Sequence, residues 1–261
     1  MVPNPEILYK YRSLSGDNFK FTHDIFRNNE LYFAHPDEVN EPFDCKIPPC
    51  LKNLNKEKLI KRFSVFDQTQ FECREINLEK LEDVVNNTPL SVLQKRLKKD
   101  IKSQRDVGVL SLSEKNLDIL MWGHYADSHK GICIGFAYHE LSFAFRETSI
   151  VPEQVIYPED NKYKWDPFED DAITQADKIY LTKAKDWKYE KEWRVILPEH
   201  GRTLQKIDPN ALVSVYLGCQ IANNDKETII NWCLQREQRP KVYEIAKDNS
   251  SYVLKEKEIS Y

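Results

Sequence analysis

The sequence predicts a mixed α+β protein, with strands and helices segregated rather than alternating as βαβ units. Three observations carry this. Short strand-like stretches occur near both ends and in the middle of the chain. A central block, 52–105, is dominated by Lys, Arg, Glu, Leu and Ile at helical spacing. The 261 residues are 41% hydrophobic, enough to bury one sizeable core. The expectation is therefore a single α+β domain over 1–261, with 52–105 as a helical insertion covering one side.

The elements follow in order. "EILYKYR" (6–12) alternates as a strand, with Ile7, Tyr9 and Tyr11 on one face and Leu8, Lys10 and Arg12 on the other. Residues 17–29 read as a helix capped by Asp17, with Phe21, Ile25 and Phe26 at helical spacing. "ELYFAHP" (30–36) is a short strand stopped by Pro36, and "DEVNEPFDC" is a polar turn. Two to four helices fill 52–105, "SVLQKRLKKDIKSQR" (91–105) being the clearest. "VGVLSLS" (107–113) is a strand, and Ser113 reads as the cap of a helix over "NLDILMWGHYAD". "KGICIGFAY" (130–138) is apolar on both faces, the mark of a central strand. A strand at 153–159, a helix at 171–185, and strand, helix, strand at 211–218, 225–235 and 241–247 complete the chain.

Composition excludes some classes of function. A net charge of −4 argues against wholesale wrapping of nucleic acid and leaves room for a local basic cleft. No stretch approaches the ~20 apolar residues of a membrane span. The first residues lack the basic start and apolar block of a secretion signal. Six cysteines (45, 50, 73, 133, 219, 233) form no CxxC pair, so reduced thiols and a cytoplasmic protein are expected. No phosphate loop, GxGxxG, nucleophile elbow or HExxH is present.

Four stretches carry candidate chemistry. In "YEKEWRVIL" (189–197), read as a strand, Trp193, Val195 and Leu197 point to the core while Glu190, Glu192 and Arg194 point the other way. Unpaired buried carboxylates are unfavourable, so these charges either pair or face a cleft. The structural alternative is a solvated sheet face with a salt bridge. "LMWGHYADSHKGICIGF" (120–136) gathers Trp122, His124, Tyr125, Asp127, His129 and Lys130, groups able to stack on and orient a planar ligand. Its alternative is a helix end with packed aromatics and solvated histidines. Zinc on His124, His129 and Cys133 is disfavoured, because H-x4-H-x3-C matches no common site and a fourth ligand is not evident. "YKYRS" (9–13) sets Lys10 and Arg12 on one strand face, and an arginine there suits a bidentate grip on phosphate or carboxylate. The basic run Lys95, Arg96, Lys98, Lys99, Lys102 and Arg105 suits phosphate contacts, or the solvated side of a helix.

The order "LYKYRSL", "LYFAHPDEVNEPFDC", "GVLSLSE", "ILMWGHYADSHKGICIGF" and "YEKEWRVI" resembles the bacterial domain-of-unknown-function family 2971. That family in turn resembles, more distantly, the ADP-ribosyltransferase superfamily, including toxins that modify DNA bases. The resemblance implies an ADP-ribosyltransferase-like split β-sheet core with NAD, as substrate, between two small sheets, and no metal. Glu190-Lys191-Glu192 is similar to the E-x-E form of several such transferases; the Ser-Thr-Ser motif of the arginine-modifying branch is absent. By this resemblance Glu192 is the catalytic carboxylate and Glu190 positions or deprotonates the acceptor. Arg12 holds the pyrophosphate or ribose. Tyr9, Tyr32, Trp122, His124, Tyr125 and Arg194 complete the NAD site. The implied activity is ADP-ribosyl transfer to a nucleic acid or protein, as a toxin or antiphage effector with an antitoxin or immunity partner. Two alternatives stay open: an NAD glycohydrolase, and a non-catalytic binding module on the same fold. A nucleic-acid-processing enzyme using the 124–129 cluster and a divalent metal is a third.

Overall fold

The computed structural model describes residues 4–52, 54–62, 78–103, 106–145, 150–162, 164–168 and 170–261. Cys73, Arg105 and the 63–77 part of the expected helical block lie outside them, as does the side chain of Lys102. The architecture is mixed α+β, built on one large, mostly antiparallel sheet.

Among the described residues ten strands form: β1 (Ile7–Arg12), β2 (Glu30–Phe33), β3 (Val107–Ser113), β4 (Ile132–Ala137), β5 (Glu153–Gln154), β6 (Glu192–Pro198), β7 (Thr203–Lys206), β8 (Leu212–Leu217), β9 (Lys241–Lys247) and β10 (Leu254–Ile259). Eight pair in the order β10-β9-β8-β4-β1-β3-β6-β5, and β2 with β7 makes a two-stranded ribbon. Among the described residues, β8 and β9 are the only paired strands that run parallel. The helices are α1 (Asp17–Asn28), α2 (Leu78–Asn87), α3 (Leu90–Ser103), α4 (Ile119–Tyr125), α5 (Tyr138–Ala144), α6 (Ala172–Tyr180) and α7 (Asn223–Leu234), with a further helical stretch at 56–62.

The middle of the sheet is its weakest join. β1 and β4 pair along six residues, from Ile7↔Ala137 to Arg12↔Ile132. β3 and β6 pair along seven. Between these halves, β1 meets β3 through the single register Tyr9↔Ser113. The sheet is thus continuous but nearly parted between β1 and β3, and a cleft opens at that seam.

Strand alternation explains the layers. Leu8 of β1, Leu110 and Leu112 of β3, Ile132, Ile134 and Phe136 of β4, and Trp193, Val195 and Leu197 of β6 enter one core with Ile25 and Phe26 of α1 and Ile229 of α7. Val107 and Val109, from the other face of β3, pack with Leu93, Leu97 and Ile101 of α3 and Ile179 of α6. Tyr11 and Cys133 pack with Met121 and Trp122 of α4. Two separate cores therefore share the second face of the sheet.

Several expectations are corrected. Asp17 is the first residue of α1, not its cap; Gly16, at φ 55, precedes it, a backbone shape that favours glycine. Asp118, not Ser113, caps α4, accepting from the Leu120 and Met121 amides. Ser113 stays in β3 and donates to the Glu190 carbonyl at 2.6 Å. The 153–159 strand shrinks to Glu153–Gln154 plus a bridge from Ile156 to Thr182. The 171–185 helix ends at Tyr180. The strand reading of "YEKEWRVIL" begins too early. Glu190 closes a 3-10 helix, Lys185–Glu190, Lys191 turns through φ 43, and β6 starts at Glu192. The strand patterns of β7 and β10 and the short helix α5 are additions to the expected set.

Candidate functional site

A cleft of about 520 Å³ opens at the β1–β3 seam. Tyr9, Lys10 and Tyr11 come from β1, Ser111 and Leu112 from β3, and Met121 and Tyr125 from α4. The loop after β2 contributes Glu38, Glu41 and Asp44, the segment before β6 contributes Lys183, Trp187 and Glu190, and the start of β6 contributes Glu192.

Its floor is a buried network of five charged groups. Arg194 lies 1% exposed and holds Glu192 through a fork, Nε to Oε1 at 2.7 Å and Nη2 to Oε2 at 2.8 Å. Nη2 also reaches Asp44 Oδ2 at 2.8 Å, and Nη1 donates to the Tyr180 carbonyl at 2.7 Å. Such a planar, delocalised cation suits this many fixed acceptors where an ammonium would not. Lys183 Nζ bonds Glu190 Oε2 at 2.5 Å and Glu192 Oε2 at 3.0 Å, with Asp44 Oδ2 at 3.7 Å. Tyr125 donates its hydroxyl to Glu190 Oε1 at 2.6 Å. The Glu192 amide donates to the Tyr157 hydroxyl at 2.9 Å.

The two glutamates sit in opposed electrostatic surroundings. Burial disfavours ionisation of both. For Glu192, Arg194 and Lys183 overcome burial and hold the carboxyl down to about 2. For Glu190, burial prevails over the attraction of Lys183, and repulsion from Glu192 adds to it, so its carboxyl is raised. Lys183 is raised despite its burial by Glu192, Glu190 and Asp44, and stays a cation. The cleft therefore presents one carboxylate held ionised by two cations beside a second carboxyl whose ionisation burial disfavours.

The expected site residues separate. Glu190, Glu192, Tyr9 and Tyr125 line the cleft, and Arg194 lies directly behind it. His124 is exposed beside it, edge-on to Trp187 at 6.3 Å and to Tyr125 at 6.2 Å. The other three are engaged elsewhere. Arg12 turns back to α1, bonding Thr22 Oγ1 at 3.3 Å and the Asn18 carbonyl at 3.2 Å, because the first two turns of α1 supply acceptors at the end of β1. Tyr32 stacks on Phe21 and bonds Glu38 from the two-stranded ribbon. Trp122 is fully buried and its indole N–H donates to the Asn116 carbonyl at 2.7 Å, so it serves packing. His129 stacks on Trp122 and Cys133 is buried; among the described residues no three His, Cys, Asp or Glu side chains are grouped to hold a metal ion. Lys95, Arg96, Lys98 and Lys99 all lie on exposed or half-exposed positions of α3, opposite its buried leucines.

Asp44 and Lys183 are the participants that sequence reasoning missed. Asp44 is the penultimate residue of the turn "NEPFDC" (40–45), which needs no function to explain its composition. Cys45, next to it at φ 55, points its buried thiol at Arg194 Nη1 at 3.1 Å. A non-glycine held in that left-handed backbone shape is a sign of enforced geometry. Lys183 follows α6 with no pattern to mark it.

Residues 121–195 match the model of a family described as a protein of unknown function, DUF2971. That segment runs from α4 to β6 and carries Tyr125, Lys183, Glu190, Glu192 and Arg194. No curated protein matches the chain, and no solved structure does.

Proposed function

We propose that the seam cleft binds NAD and cleaves its nicotinamide–ribose bond, transferring the ADP-ribosyl group to an acceptor on an ADP-ribosyltransferase-like core. The observation that carries this is the opposed pair of carboxyls sharing Lys183. Environments that push two neighbouring acids apart commonly divide their catalytic roles. Cleavage of a glycosidic bond needs that division: fixed negative charge for an oxocarbenium-like centre, and a second group to move a proton.

The residues take these roles. Glu192, ionised and held rigid by Arg194, stabilises positive charge developing at the ribosyl carbon as nicotinamide leaves with the bonding electrons. Glu190, in its ionised fraction, accepts the proton of the attacking nucleophile, and Tyr125 fixes the orientation of that carboxyl. Lys183 holds both carboxylates in register. Trp187, Tyr9 and Met121 offer aromatic and soft apolar surface to the nicotinamide ring, which is cationic in NAD and suited to such faces. Arg12 has no part in this arrangement; Lys10 is the cation of β1 that faces the cleft. With water as nucleophile the same steps make a glycohydrolase. A nucleic acid or protein acceptor makes a transferase, whose toxicity would call for an immunity partner.

A second reading rests on one observation. Both oxygens of Glu192 are already held by Arg194, so the network also serves as a pin that seats the Asp44 loop against β6. On that reading the fold is a binding module without turnover. Nicotinamide release and NAD-dependent thermal stabilisation separate the two. Under the enzymatic reading wild type releases nicotinamide and Glu192→Gln lowers the rate by a factor of ~10² or more. Undiminished release in that variant removes Glu192 from catalysis. Neither binding nor release in wild type, across pH and with candidate acceptors, establishes the module.

A further inference from the structure

Two lysines face the same cleft in opposite surroundings. Lys183 is surrounded by three carboxylates. Lys10, among the described residues, has no carboxylate within ion-pairing distance of its ammonium; it donates instead across the seam to the Ser111 carbonyl at 3.1 Å. Arg12 stands two residues further along the same strand, so like charge lies on the side where a counter-ion would help. Lys10 is half-buried, at the point where β1 and β3 part.

We propose that Lys10 is a reactive amine, and that the cleft takes an aldehyde or a reducing sugar that condenses with it as a reversible imine. The amine with its lone pair is the nucleophile, and desolvation beside another cation is how proteins expose one. Desolvation, with Arg12 adding to it and Glu192 opposing it, brings the Lys10 ammonium down to about 7. The other titratable groups that line the cleft with it are Tyr9 and Tyr11 of β1, Tyr125 from α4, Glu38, Glu41 and Asp44 from the loop after β2, and Lys183 and Glu190 from the segment before β6.

The step balances without an oxidant. The Nζ lone pair forms a C–N bond to the carbonyl carbon as the C=O π bond breaks, and the oxygen takes the proton that the nitrogen gives up, which restores a lone pair on the nitrogen. The resulting hydroxyl leaves as water while the nitrogen lone pair closes the C=N bond. Glu190, whose carboxyl burial raises, supplies the proton to the departing hydroxyl and recovers one from the nitrogen. Tyr9, Tyr11 and Met121 wall the cleft and limit the water that would reverse the condensation. None of this depends on NAD cleavage.

The test uses the full chain with glyceraldehyde and cyanoborohydride, which reduces an imine to a stable secondary amine, followed by peptide mass mapping from pH 5 to 10. Lys10 should label at least about tenfold faster at pH 7 than exposed Lys257, because an ordinary lysine is almost wholly protonated there. Its rate should level off just above pH 7 rather than climb towards pH 10. Lys10→Arg should abolish the fast label and leave the slow ones, with an unchanged thermal midpoint. Labelling of Lys10 no faster than Lys257, or with the pH dependence of an ordinary lysine, overturns the proposal. If Lys10→Arg fails to fold, the wild-type map alone decides.

Discussion

At the scale of the residue, Arg194 has the largest consequence. It is a fully buried cation with four kinds of acceptor: Glu192, Asp44, the Tyr180 carbonyl and the Cys45 thiol. A buried ion pair is not in itself a strong stabiliser, since desolvation offsets most of the attraction. Removing one partner is different, because the other charges remain buried and uncompensated. Arg194→Met should therefore destabilise the fold by about 3–5 kcal/mol in denaturant unfolding. The double variant Glu192→Gln/Arg194→Met should lose less than the sum of the singles, as coupled neighbours do. Additive losses would mean that the fork contributes nothing specific. The residues themselves were partly legible. Alternation placed Trp193, Val195 and Leu197 in the core and Glu192 and Arg194 opposite. That the opposite side is also buried was not legible, because it depends on a loop about 150 positions away in the chain.

At the scale of the element, the central strand β4 sets the geometry of the cleft by anchoring β1. Its entry is Gly131, where a Cβ would stand 2.1 Å from the Arg12 carbonyl oxygen and 3.1 Å from the Ala126 backbone. Backbone cannot swing aside as a flexible side chain can. Gly131→Ala should force β1 and β4 apart at the end nearest α4 and destabilise by about 1–3 kcal/mol. Hydrogen exchange should show the loss first in β1 and β4 amides near Arg12 and Ile132. Unchanged protection there would show that the turn adapts. The β4 strand was legible because it is apolar on both faces and β-rich. The 3-10 helix at Lys185–Glu190 was not, since its residues alternate well enough to imitate a strand start. The sharp turn at Lys191 is imposed by contacts of Glu190 with Lys183, Tyr125 and Ser113.

At the scale of the whole molecule, the network links stability to pH. The Glu192 carboxyl is depressed to about 2 in the folded chain, against an ordinary glutamate near 4.3 when unfolded. A depressed carboxyl adds stability that is fully present above the unfolded value and is lost as pH falls towards the folded one. The thermal midpoint should therefore drop between about pH 4.3 and pH 2. Glu190 works in the opposite sense. Its raised carboxyl contributes most at low pH, and that contribution is lost as pH rises through its folded value. Melting curves of Glu192→Gln should be flatter on the acid side than those of wild type. Parallel acid limbs would assign the transition to other carboxylates.

The sequence by itself determined the class of the fold, most of its strands, and the stretch "YEKEWR" as the place where charge meets core. Those features are local: alternation, helical spacing and turn residues act over a few positions. Only the tertiary structure decided which charges meet. Asp44 and Lys183 reach Glu190 and Glu192 from distant segments, Arg12 turns away to α1, and Lys10 takes its place in the cleft. The physical reason is that a buried charge must find its partner wherever the chain brings one. That choice is made by the closing of the sheet at its narrow seam and by the covering of its second face.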